Sequence, residues 1–485
     1  MNFATFEFVI FMVCVYLPYL AMNHRQQNYF LLAASYFFYG FWDWRFLSLI
    51  LFSTAVNYFV GLAIHNTENI NKRRFYLLIS LVVTFGLLGI FKYLGFFVSS
   101  MVDLLEMLGF HPNVPILSIV LPIGISFYTF QTTSYTIDIY RKEIPATRNF
   151  FDFALFVAFF PQLVAGPIER AKSLLPQIQS HRVITYDQVS RGSFLILWGL
   201  FKKIVIADGV AGAVESVYGM TSAQPTSLDI ILATYLFAIQ IYCDFSGYSD
   251  IARGTAKLLG FELVTNFNLP LFAVNPVDYW VRWHISLSNW LRDYVYLPLV
   301  TRGLHRGEWY LQSSIMITLF LSGIWHGAGW NFIFWGLFQG TIMCIHRGWH
   351  VLFVMKQKPP SLAKPQSRSF HWFSTFVKII VFFQIILYGR LLFRVESFEQ
   401  IIDFTSILLF NFTFYTSVSF SIPIATLISI PLLLGLEFYQ FVTNSPPYFY
   451  RKWPLPVRTL LYATLFFLLM AGISNASQEF IYFAF

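Results

Sequence analysis

The sequence predicts an all-α protein that crosses a membrane many times, and its composition and segment lengths both point to this fold class. Of the 485 residues, 57% are apolar and 20% are aromatic, whereas only 12% are charged. Apolar stretches of transmembrane length recur along the whole chain, as in helical proteins with several spans. This composition leaves no room for a large soluble domain.

The basic residues indicate the orientation of the spans rather than a nucleic-acid partner. The formal net charge is +8, but on so apolar a chain Lys and Arg mostly mark cytoplasmic loops and contact anionic lipid headgroups. Cys14, Cys243 and Cys344 stand in apolar surroundings without disulfide or metal-ligand spacing. We therefore expect membrane lipids as neighbours, no nucleic acid, no metal and no bound cofactor.

Charge placement also predicts a topology. The stretch 6–22 lacks the basic start and cleavage site of a signal peptide, so we predict a retained first span. The first basic clusters all fall on one side of the predicted spans, which the positive-inside rule makes the cytoplasm. This rule puts the N-terminus and the last residues of the chain outside. The predicted membrane segments are 6–22, 28–41, 45–64, 75–98, 115–139, 151–165 (returning on the same side), 204–218, 228–243, 309–345 (an even number of passages), 372–393, 423–442 and 458–473.

Charged residues define the expected breaks between these segments. Asp103 and Glu106 are assigned to an outer loop, and Lys202-Lys203 to an interruption of the stretch 192–218. The region 244–306 lies near the cytoplasm by charge but is rich in aromatic residues, which is typical of interfacial or re-entrant helices.

His326 is the leading candidate for a functional side chain. It is an ionisable residue in the middle of an apolar stretch, and such residues are functional candidates because hydrocarbon offers them no partner. Both ends of 309–345 carry basic residues, so we predict two short helices that meet near Gly323–Gly329 and leave His326 near mid-depth. The alternative is a histidine that only hydrogen-bonds neighbouring helices.

His284 is the second histidine candidate, in a run whose aromatic and leucine residues recur at helical spacing. By itself this run equally predicts an interfacial helix with a satisfied histidine. Acyl transfer to a hydroxyl needs a base, for which histidine is suited near neutral pH, and a donor for the developing oxyanion. The sequence contains no Gly-x-Ser-x-Gly elbow and no His-Glu-x-x-His or Cys-x-x-Cys pair, which disfavours a serine triad and metal catalysis.

Two further groups of polar residues carry weaker signals. The run Cys243–Asp250 contains two carboxylates and three hydroxyls, which predict either a loop of capping residues or a re-entrant turn that orients a polar headgroup. Arg282, Arg292, Arg302 and Arg306 could receive a polyphosphate such as coenzyme A, although the positive-inside rule alone explains their position.

Five motifs in a fixed order make the chain similar to a known family. They are Leu121-Pro122-Ile123-Gly124-Ile125-Ser126-Phe127-Tyr128-Thr129-Phe130, Ala165-Gly166-Pro167, Asp244-Phe245-Ser246-Gly247-Tyr248-Ser249-Asp250, the run Trp283–Tyr294, and Ser322–Gly327. Over nearly the whole chain, the sequence resembles the membrane-bound O-acyltransferase superfamily. The similar branch is the bacterial one, which contains alginate O-acetylase, the peptidoglycan O-acetyltransferases and the teichoic-acid D-alanyl transfer protein.

The resemblance implies a fold and a set of site residues. The fold would be a ring of roughly 10–13 transmembrane or re-entrant helices around a thin centre with a cytoplasmic funnel. His326 would be the catalytic histidine and His284 the second functional histidine. Tyr482, between Phe480 and Phe485, would take the acyl group and pass it on, although it could also be an aromatic interfacial anchor. Pocket or supporting roles are predicted for Trp325, Asp244, Ser246, Tyr248, Arg282, Arg292, Asp293 and Gln339.

Two positions depart from the family pattern. Relatives often have a second histidine where this chain has Gln339, and Arg-Asn where it has Ser313-Ser314. These departures bear on the donor contacts and on the substrate rather than on the reaction type.

We predict one membrane domain, residues 1–485, with five consecutive parts. They are N-terminal helices (1–142), a catalytic core with re-entrant segments (143–350), a cytoplasmic linker (351–371), C-terminal helices (372–479) and a C-terminal aromatic motif (480–485). The predicted protein is an O-acyltransferase of the bacterial inner membrane that uses a cytoplasmic thioester, acetyl-coenzyme A or another acyl thioester, and an exported acyltransferase partner acting on a polysaccharide. The alternatives are a transporter or flippase for a lipid-linked saccharide, and an enzyme of the same superfamily that acylates a lipid or a small alcohol.

Overall fold

A computed structural model of the chain describes residues 1–112, 119–220, 224–354, 368–446, 448–473 and 480–481. Across these ranges the chain forms helices joined by short connections and no strand, which confirms the predicted all-α class. In the same ranges, six helical stretches are long and apolar enough to span a bilayer: His24–His65, Ile70–Met107, Ser227–Leu258, Trp372–Arg394, Ile424–Thr443 and Leu455–Gly472. The protein is therefore a multi-pass membrane protein.

The α-helices are numbered along the chain. They are α1 (Phe6–Leu20), α2 (His24–Asp43), α3 (Leu47–His65), α4 (Ile70–Leu88), α5 (Leu94–Met107), α6 (Ile125–Tyr140), α7 (Phe150–Ala158), α8 (Phe160–Leu163), α9 (Ala171–Gln179), α10 (Tyr186–Leu200), α11 (Asp208–Tyr218), α12 (Ser227–Leu258), α13 (Pro276–Arg282), α14 (Ile285–Leu291), α15 (Leu297–Gly303), α16 (Glu308–His326), α17 (Trp330–Trp349), α18 (Arg368–Arg394), α19 (Phe398–Phe410), α20 (Ile424–Thr443) and α21 (Leu455–Gly472). Wider π-helical turns occur at Gly89–Tyr93, Phe201–Ala207, Arg292–Tyr296 and His350–Val354. Short 3₁₀ turns occur at Trp44–Phe46, Pro270–Phe272, Leu304–Arg306 and Phe449–Lys452.

The chain folds into two compact units, and the first consists of residues 1–199 and 248–264. In this unit a buried arginine donates hydrogen bonds to carbonyl groups at two helix ends. The guanidinium of Arg73 in α4 donates to the carbonyls of Ile64 and Tyr140, each at 2.8 Å. These carbonyls lie at the C-terminal ends of α3 and α6, where the last carbonyls of a helix lack partners within the helix. One buried arginine therefore fastens three helices together.

The second unit consists of residues 200–247 and 265–485. Here the π-helical turn Phe201–Ala207 packs against α20 and α21. The hydroxyl of Thr426 in α20 donates to the carbonyl of Val205 at 2.7 Å. Because a π-turn disturbs the regular hydrogen-bond ladder, a side chain from a neighbouring helix is needed to satisfy a buried carbonyl of this kind.

The helical hairpin of α16 and α17 contains His326 at the end of its first helix. Gly327 and Gly329 have extended backbones, so α16 ends at His326 and α17 begins at Trp330. A Cβ on Gly323 would lie 2.3 Å from the carbonyl oxygen of Phe332, so the two backbones touch. The predicted pair of helices is present, but each is longer than expected, with 19 and 20 residues.

Lys202 and Lys203 do not interrupt a membrane segment, contrary to the sequence prediction. The helix runs without a break from α10 through the π-turn into α11, and both lysines are buried. The lysines are tolerated because their ammonium groups have buried partners: Lys202 donates to Ser246 at 3.0 Å, and Lys203 pairs with Asp244 at 2.7 Å.

The run Cys243–Asp250 is neither a loop nor a turn, so that prediction was also wrong. It lies inside α12, which continues to Leu258 instead of ending near residue 243. Asp244 and Ser246 are each 1% exposed. Asp244 and Ser246 are instead bound by Lys203 and Lys202 of a neighbouring helix, as buried polar groups within apolar bundles require.

Two other predicted boundaries differ from the structure. Asp103 and Glu106 belong to α5 rather than to a loop, because the helix continues to Met107. The segment predicted from residue 115 becomes helical only at Ile125, after Gly124 with its positive φ of 79°.

The close approach of α16 and α17 is testable through Gly336. A Cβ at this position would lie 2.7 Å from the carbonyl oxygen of Leu319, so Gly336→Ala must push the helices apart. We expect a loss of about 1–3 kcal/mol, typical of overpacking, measured as a lower thermal unfolding temperature in detergent.

Gly435→Ala in α20 is the matched control, because nothing lies within 4 Å of its added Cβ. This variant should be neutral or slightly stabilising, since glycine inside a helix costs about 0.5–1 kcal/mol relative to alanine. Equal unfolding temperatures for the two variants would contradict the close contact.

Candidate active site

His326 lies in an aromatic cluster within the second unit. Its ring centroid is 4.9 Å from that of Trp325, 4.9 Å from that of Trp335 and 5.2 Å from that of Phe393, with interplanar angles of 76°, 85° and 77°. These edge-to-face contacts are the arrangement that aromatic rings prefer. The side chains come from α16, α17 and α18, so three helices hold the ring of His326 in place.

His284 is buried at the break between α13 and α14. Its backbone is left-handed, with φ 43° and ψ 54°, a conformation that costs energy for residues other than glycine and persists only where the surroundings enforce it. The enforcing residue is Asn266, whose backbone carbonyl accepts the N–H of Ile285 at 2.9 Å. Strain of this kind often marks functional positions.

The side chain of Asn266 also determines which nitrogen of His284 carries the proton. Its Oδ1 atom accepts the backbone N–H and the hydroxyl of Ser286, at 3.3 and 3.0 Å, and lies 3.1 Å from His284 Nδ1. A backbone N–H can only donate, so this amide atom is the oxygen and Nδ1 must be the protonated nitrogen. The lone pair is then on His284 Nε2, to which no side chain or backbone group of the described ranges makes a hydrogen bond.

His284 lies outside the six membrane-length helices, and burial lowers its pKa to about 3. The cause is desolvation, which disfavours the charged imidazolium. At neutral pH the ring is therefore uncharged. A neutral imidazole with a free Nε2 lone pair can accept a hydrogen bond, but it is a weak proton acceptor compared with a histidine of ordinary pKa.

The two histidines meet at one tryptophan. The ring centroid of Trp325 is 5.7 Å from that of His284 and 4.9 Å from that of His326. Two histidines that are distant in sequence thus contact the same indole ring. His284 is 0% and His326 3% exposed, so neither ring is open to solvent in this structure.

The C-terminal end of the described chain reaches the same neighbourhood through Phe245 of α12. The ring of Phe245 is 4.7 Å from that of His284 and 5.8 Å from that of Phe480. The backbone N–H of Ile481 donates to Asp244 Oδ2 at 2.8 Å. Tyr482, the predicted acyl carrier, follows directly in sequence but lies outside the described residues.

A buried charged cluster next to Phe245 was missed at the sequence level. Lys203 pairs with Asp244 at 2.7 Å and with Asp208 at 2.8 Å, and its side chain is 1% exposed. The available signal was the same one that identified His326, an ionisable side chain among apolar residues. The sequence prediction instead assigns these lysines to an interruption of the stretch 192–218, because charged residues usually mark the ends of membrane segments.

Arg390 of α18 is a second missed residue. It is buried, its guanidinium carbon lies 3.9 Å from the ring centroid of Trp283, and it donates to the Tyr279 hydroxyl at 2.7 Å. The guanidinium lines a small pocket whose other walls are mainly apolar, including Pro270 and Phe382. Trp283 directly precedes His284 in sequence, so this guanidinium stacks on the neighbour of the second histidine.

The remaining predicted side chains have local contacts. Arg282 pairs with Asp278 at 2.7 Å, and Arg292 pairs with its neighbour Asp293 at 2.8 Å. Gln339 is buried, and its Nε2 would lie 2.8 Å from a Cβ on Gly389 of α18. Within the first unit, Tyr248 stacks on Phe3 with a centroid distance of 4.5 Å. In the part of the chain that the structure describes, no group of three His, Cys, Asp or Glu residues could hold a metal ion.

The role of Asn266 can be tested by nitrogen NMR of protein labelled in histidine. In the wild-type protein, His284 should give the signals of a neutral ring protonated at Nδ1. Asn266→Ala removes the oxygen that accepts this proton and should shift the ring toward the Nε2–H tautomer.

Asn289→Ala, one turn along α14, is the control and should leave the His284 signals unchanged. An Asn266→Ala spectrum identical to that of the wild-type protein would contradict the assigned tautomer.

The sequence is similar to known proteins of one family. The sequence profile of the membrane-bound O-acyltransferase family matches residues 140–389, which include both histidines. A probable alginate O-acetylase of Azotobacter vinelandii is 38% identical over 380 residues, covering 77% of this chain and 71% of the relative. A peptidoglycan O-acetyltransferase of Helicobacter pylori is 36% identical over 358 residues, covering 68% and 66%.

A more distant relative is a teichoic acid D-alanyltransferase of Bacillus subtilis, 25% identical over 304 residues, covering 60% of this chain and 72% of the relative. The family match extends over more than half of the chain, and the names of the two more similar relatives state acetyl transfer. The chain belongs to the membrane-bound O-acyltransferase family and is an acyltransferase.

Proposed function

We propose that the protein takes an acetyl group from a cytoplasmic thioester, acetyl-coenzyme A, and delivers it across the membrane for O-acetylation of an extracytoplasmic polysaccharide. The names of the relatives support the acetyl group and the polysaccharide, since they are an alginate O-acetylase and a peptidoglycan O-acetyltransferase. The observation that carries the mechanism is the meeting of His284 and His326 at Trp325, next to the C-terminal end at Phe245.

In the proposed reaction, His326 is the general base. It removes the proton of the acceptor hydroxyl, and the oxygen attacks the thioester carbonyl to form a tetrahedral intermediate. The carbon–sulfur bond then breaks, and the imidazolium of His326 returns the proton to the thiolate. The products are an acetyl ester and the free thiol of the donor.

His284 is proposed to position the donor rather than to move a proton. Its neutral ring offers a lone pair at Nε2, which suits an N–H donor such as an amide of the pantetheine arm. Arg390 is proposed to stabilise the oxyanion, since charged donors in a dry site are effective in that role and its guanidinium stacks on the residue before His284.

The acceptor hydroxyl is proposed to be that of Tyr482, from which a separate exported acyltransferase moves the acetyl group onto the polysaccharide. A phenol has an ordinary pKa of about 10 and needs a base to attack a thioester, which is the role given to His326. Crossing the bilayer as a small neutral acyl unit avoids moving a charged carrier through hydrocarbon.

The decisive experiment uses the full-length protein in proteoliposomes with acetyl-coenzyme A carrying a labelled acetyl group. The wild-type protein should become labelled on Tyr482. His326→Ala should lower the labelling rate by about 10²–10⁴-fold, the range that a general base contributes.

His346→Ala in the same hairpin is the matched control and should label at the wild-type rate, because its ring is only partly buried and lies a helix length from His326. Unchanged labelling in folded His326→Ala would remove this histidine from the chemistry. Movement of a lipid-linked saccharide that persists in this variant would favour a transporter, and product formed from a lipid or small alcohol without an exported partner would favour the other enzyme.

The proposed location of Tyr482 on the outer side of the membrane can be tested separately. The basic pair Arg451-Lys452 precedes α21, so the positive-inside rule puts the residues after α21 outside the inner membrane. A reporter phosphatase that is active only outside should therefore be active when fused after Phe485.

The control is the same fusion after Lys452, which lacks α21 and should be inactive. A green fluorescent protein fused at the two positions should give the opposite pattern. An inactive phosphatase after Phe485 would contradict the proposed route, because Tyr482 would then face the donor side.

A further inference from the structure

We propose that Asp244 is a positioning residue that holds Phe480 and Ile481 beside Phe245 and His284, with Lys203 and Asp208 holding its carboxylate in place. We call these three side chains and the Ile481 N–H the C-terminal clasp. The inference rests on the proposed function, because it explains how a carrier residue that follows Ile481 is presented to His326.

The two carboxylate oxygens of Asp244 contact different partners. Oδ1 lies 2.7 Å from the ammonium nitrogen of Lys203, and Oδ2 accepts the backbone N–H of Ile481 at 2.8 Å. A hydrogen bond from a backbone N–H to a carboxylate is among the stronger hydrogen bonds in proteins. The Lys203 contact fixes the orientation of the carboxylate, so the second oxygen is aimed at the chain end.

Neutralising Lys203 does not by itself require Asp244. Lys203 also pairs with Asp208 at 2.8 Å, and Asp208 lies on the same continuous helix five residues further along. A second buried carboxylate is costly unless it is paired and hydrogen-bonded. Asp244 meets that condition because it pairs with Lys203 and accepts the Ile481 N–H. Since Asp208 already balances the charge of Lys203, the contact with Ile481 is the role that we assign to Asp244.

A hydrophobic contact accompanies the clasp. Phe480 is 0% exposed, and its ring meets the edge of Phe245, the residue after Asp244. Phe245 in turn contacts His284 at 4.7 Å. The clasp and this contact therefore hold the two residues before Tyr482 on the segment of α12 that faces the second histidine.

The backbone hydrogen bond can be removed without changing any charge. Ile481→Pro eliminates the N–H but leaves the pair of Asp244 and Lys203 intact. Ile481→Val keeps the N–H with a similar side chain and is the matched control. We expect acetyl labelling of Tyr482 to fall about tenfold or more in Ile481→Pro and to stay at the wild-type rate in Ile481→Val.

The carboxylate is tested with Asp244→Leu and Asp244→Asn. Both variants leave Lys203 paired with Asp208, so neither creates a buried ammonium without a counter-ion. Asp244→Leu should lose labelling of Tyr482 as Ile481→Pro does. Asp244→Asn retains a neutral acceptor for the Ile481 N–H and should restore part of the labelling.

Two readouts separate positioning from a general structural defect. Transfer of the acetyl group to hydroxylamine, a free nucleophile that does not depend on Tyr482, and the KM for acetyl-coenzyme A should be unchanged in Ile481→Pro and Ile481→Val. In hydrogen-exchange mass spectrometry, the Ile481 amide should be slow in the wild-type protein and fast in Asp244→Leu.

The outcomes distinguish the clasp from the relay. A fast-exchanging Ile481 amide in the wild-type protein, or full labelling in Ile481→Pro and Asp244→Leu, overturns the clasp. A slow amide that becomes fast in Asp244→Leu, with no acetyl on Tyr482 in the wild-type protein, supports the clasp as the anchor of the chain end and overturns the tyrosine relay.

Discussion

Polar groups within the apolar helices of this protein must find their partners in the protein itself, because hydrocarbon supplies none. This constraint shapes the second unit. Lys203 is enclosed by Asp208 and Asp244, Lys202 bonds Ser246, and Thr426 bonds a carbonyl of the π-turn. Such contacts are specific in direction, so they fix not only stability but also the rotation and register of the helices that supply them.

The placement of His284 and His326 depends on that fixed framework. His284 keeps a left-handed backbone and a defined tautomer because Asn266 binds its side chain and the backbone after it. His326 is placed by the end of α16 and by aromatic rings from α17 and α18. The two residues thus acquire different properties from their surroundings: one is a neutral acceptor of hydrogen bonds, and the other is the proposed base.

The sequence predicted the features that depend on local pattern. Apolar length predicted the membrane class, and the glycines around His326 predicted the helical hairpin in which α16 ends at that residue. It failed where a charged side chain has a distant partner. Lys203 and Asp244 are forty-one positions apart, and neither a charge rule nor a propensity shows that they meet inside a helix bundle. For the same reason the sequence did not predict the role of Asn266 or the burial of Arg390, because the residues next to each of them in sequence give no signal of a distant partner.

The central claim is that the thioester carbonyl binds beside Trp325, within reach of both histidines. The most direct measurement is a cryo-electron microscopy structure of the full-length protein in lipid nanodiscs with a non-hydrolysable acetyl-coenzyme A analogue. The account predicts the acetyl group next to Trp325, with the side chains that now cover His326 displaced and a passage leading to the cytoplasm. An analogue bound elsewhere, with position 326 still enclosed by Trp325, Trp335 and Phe393, would contradict it.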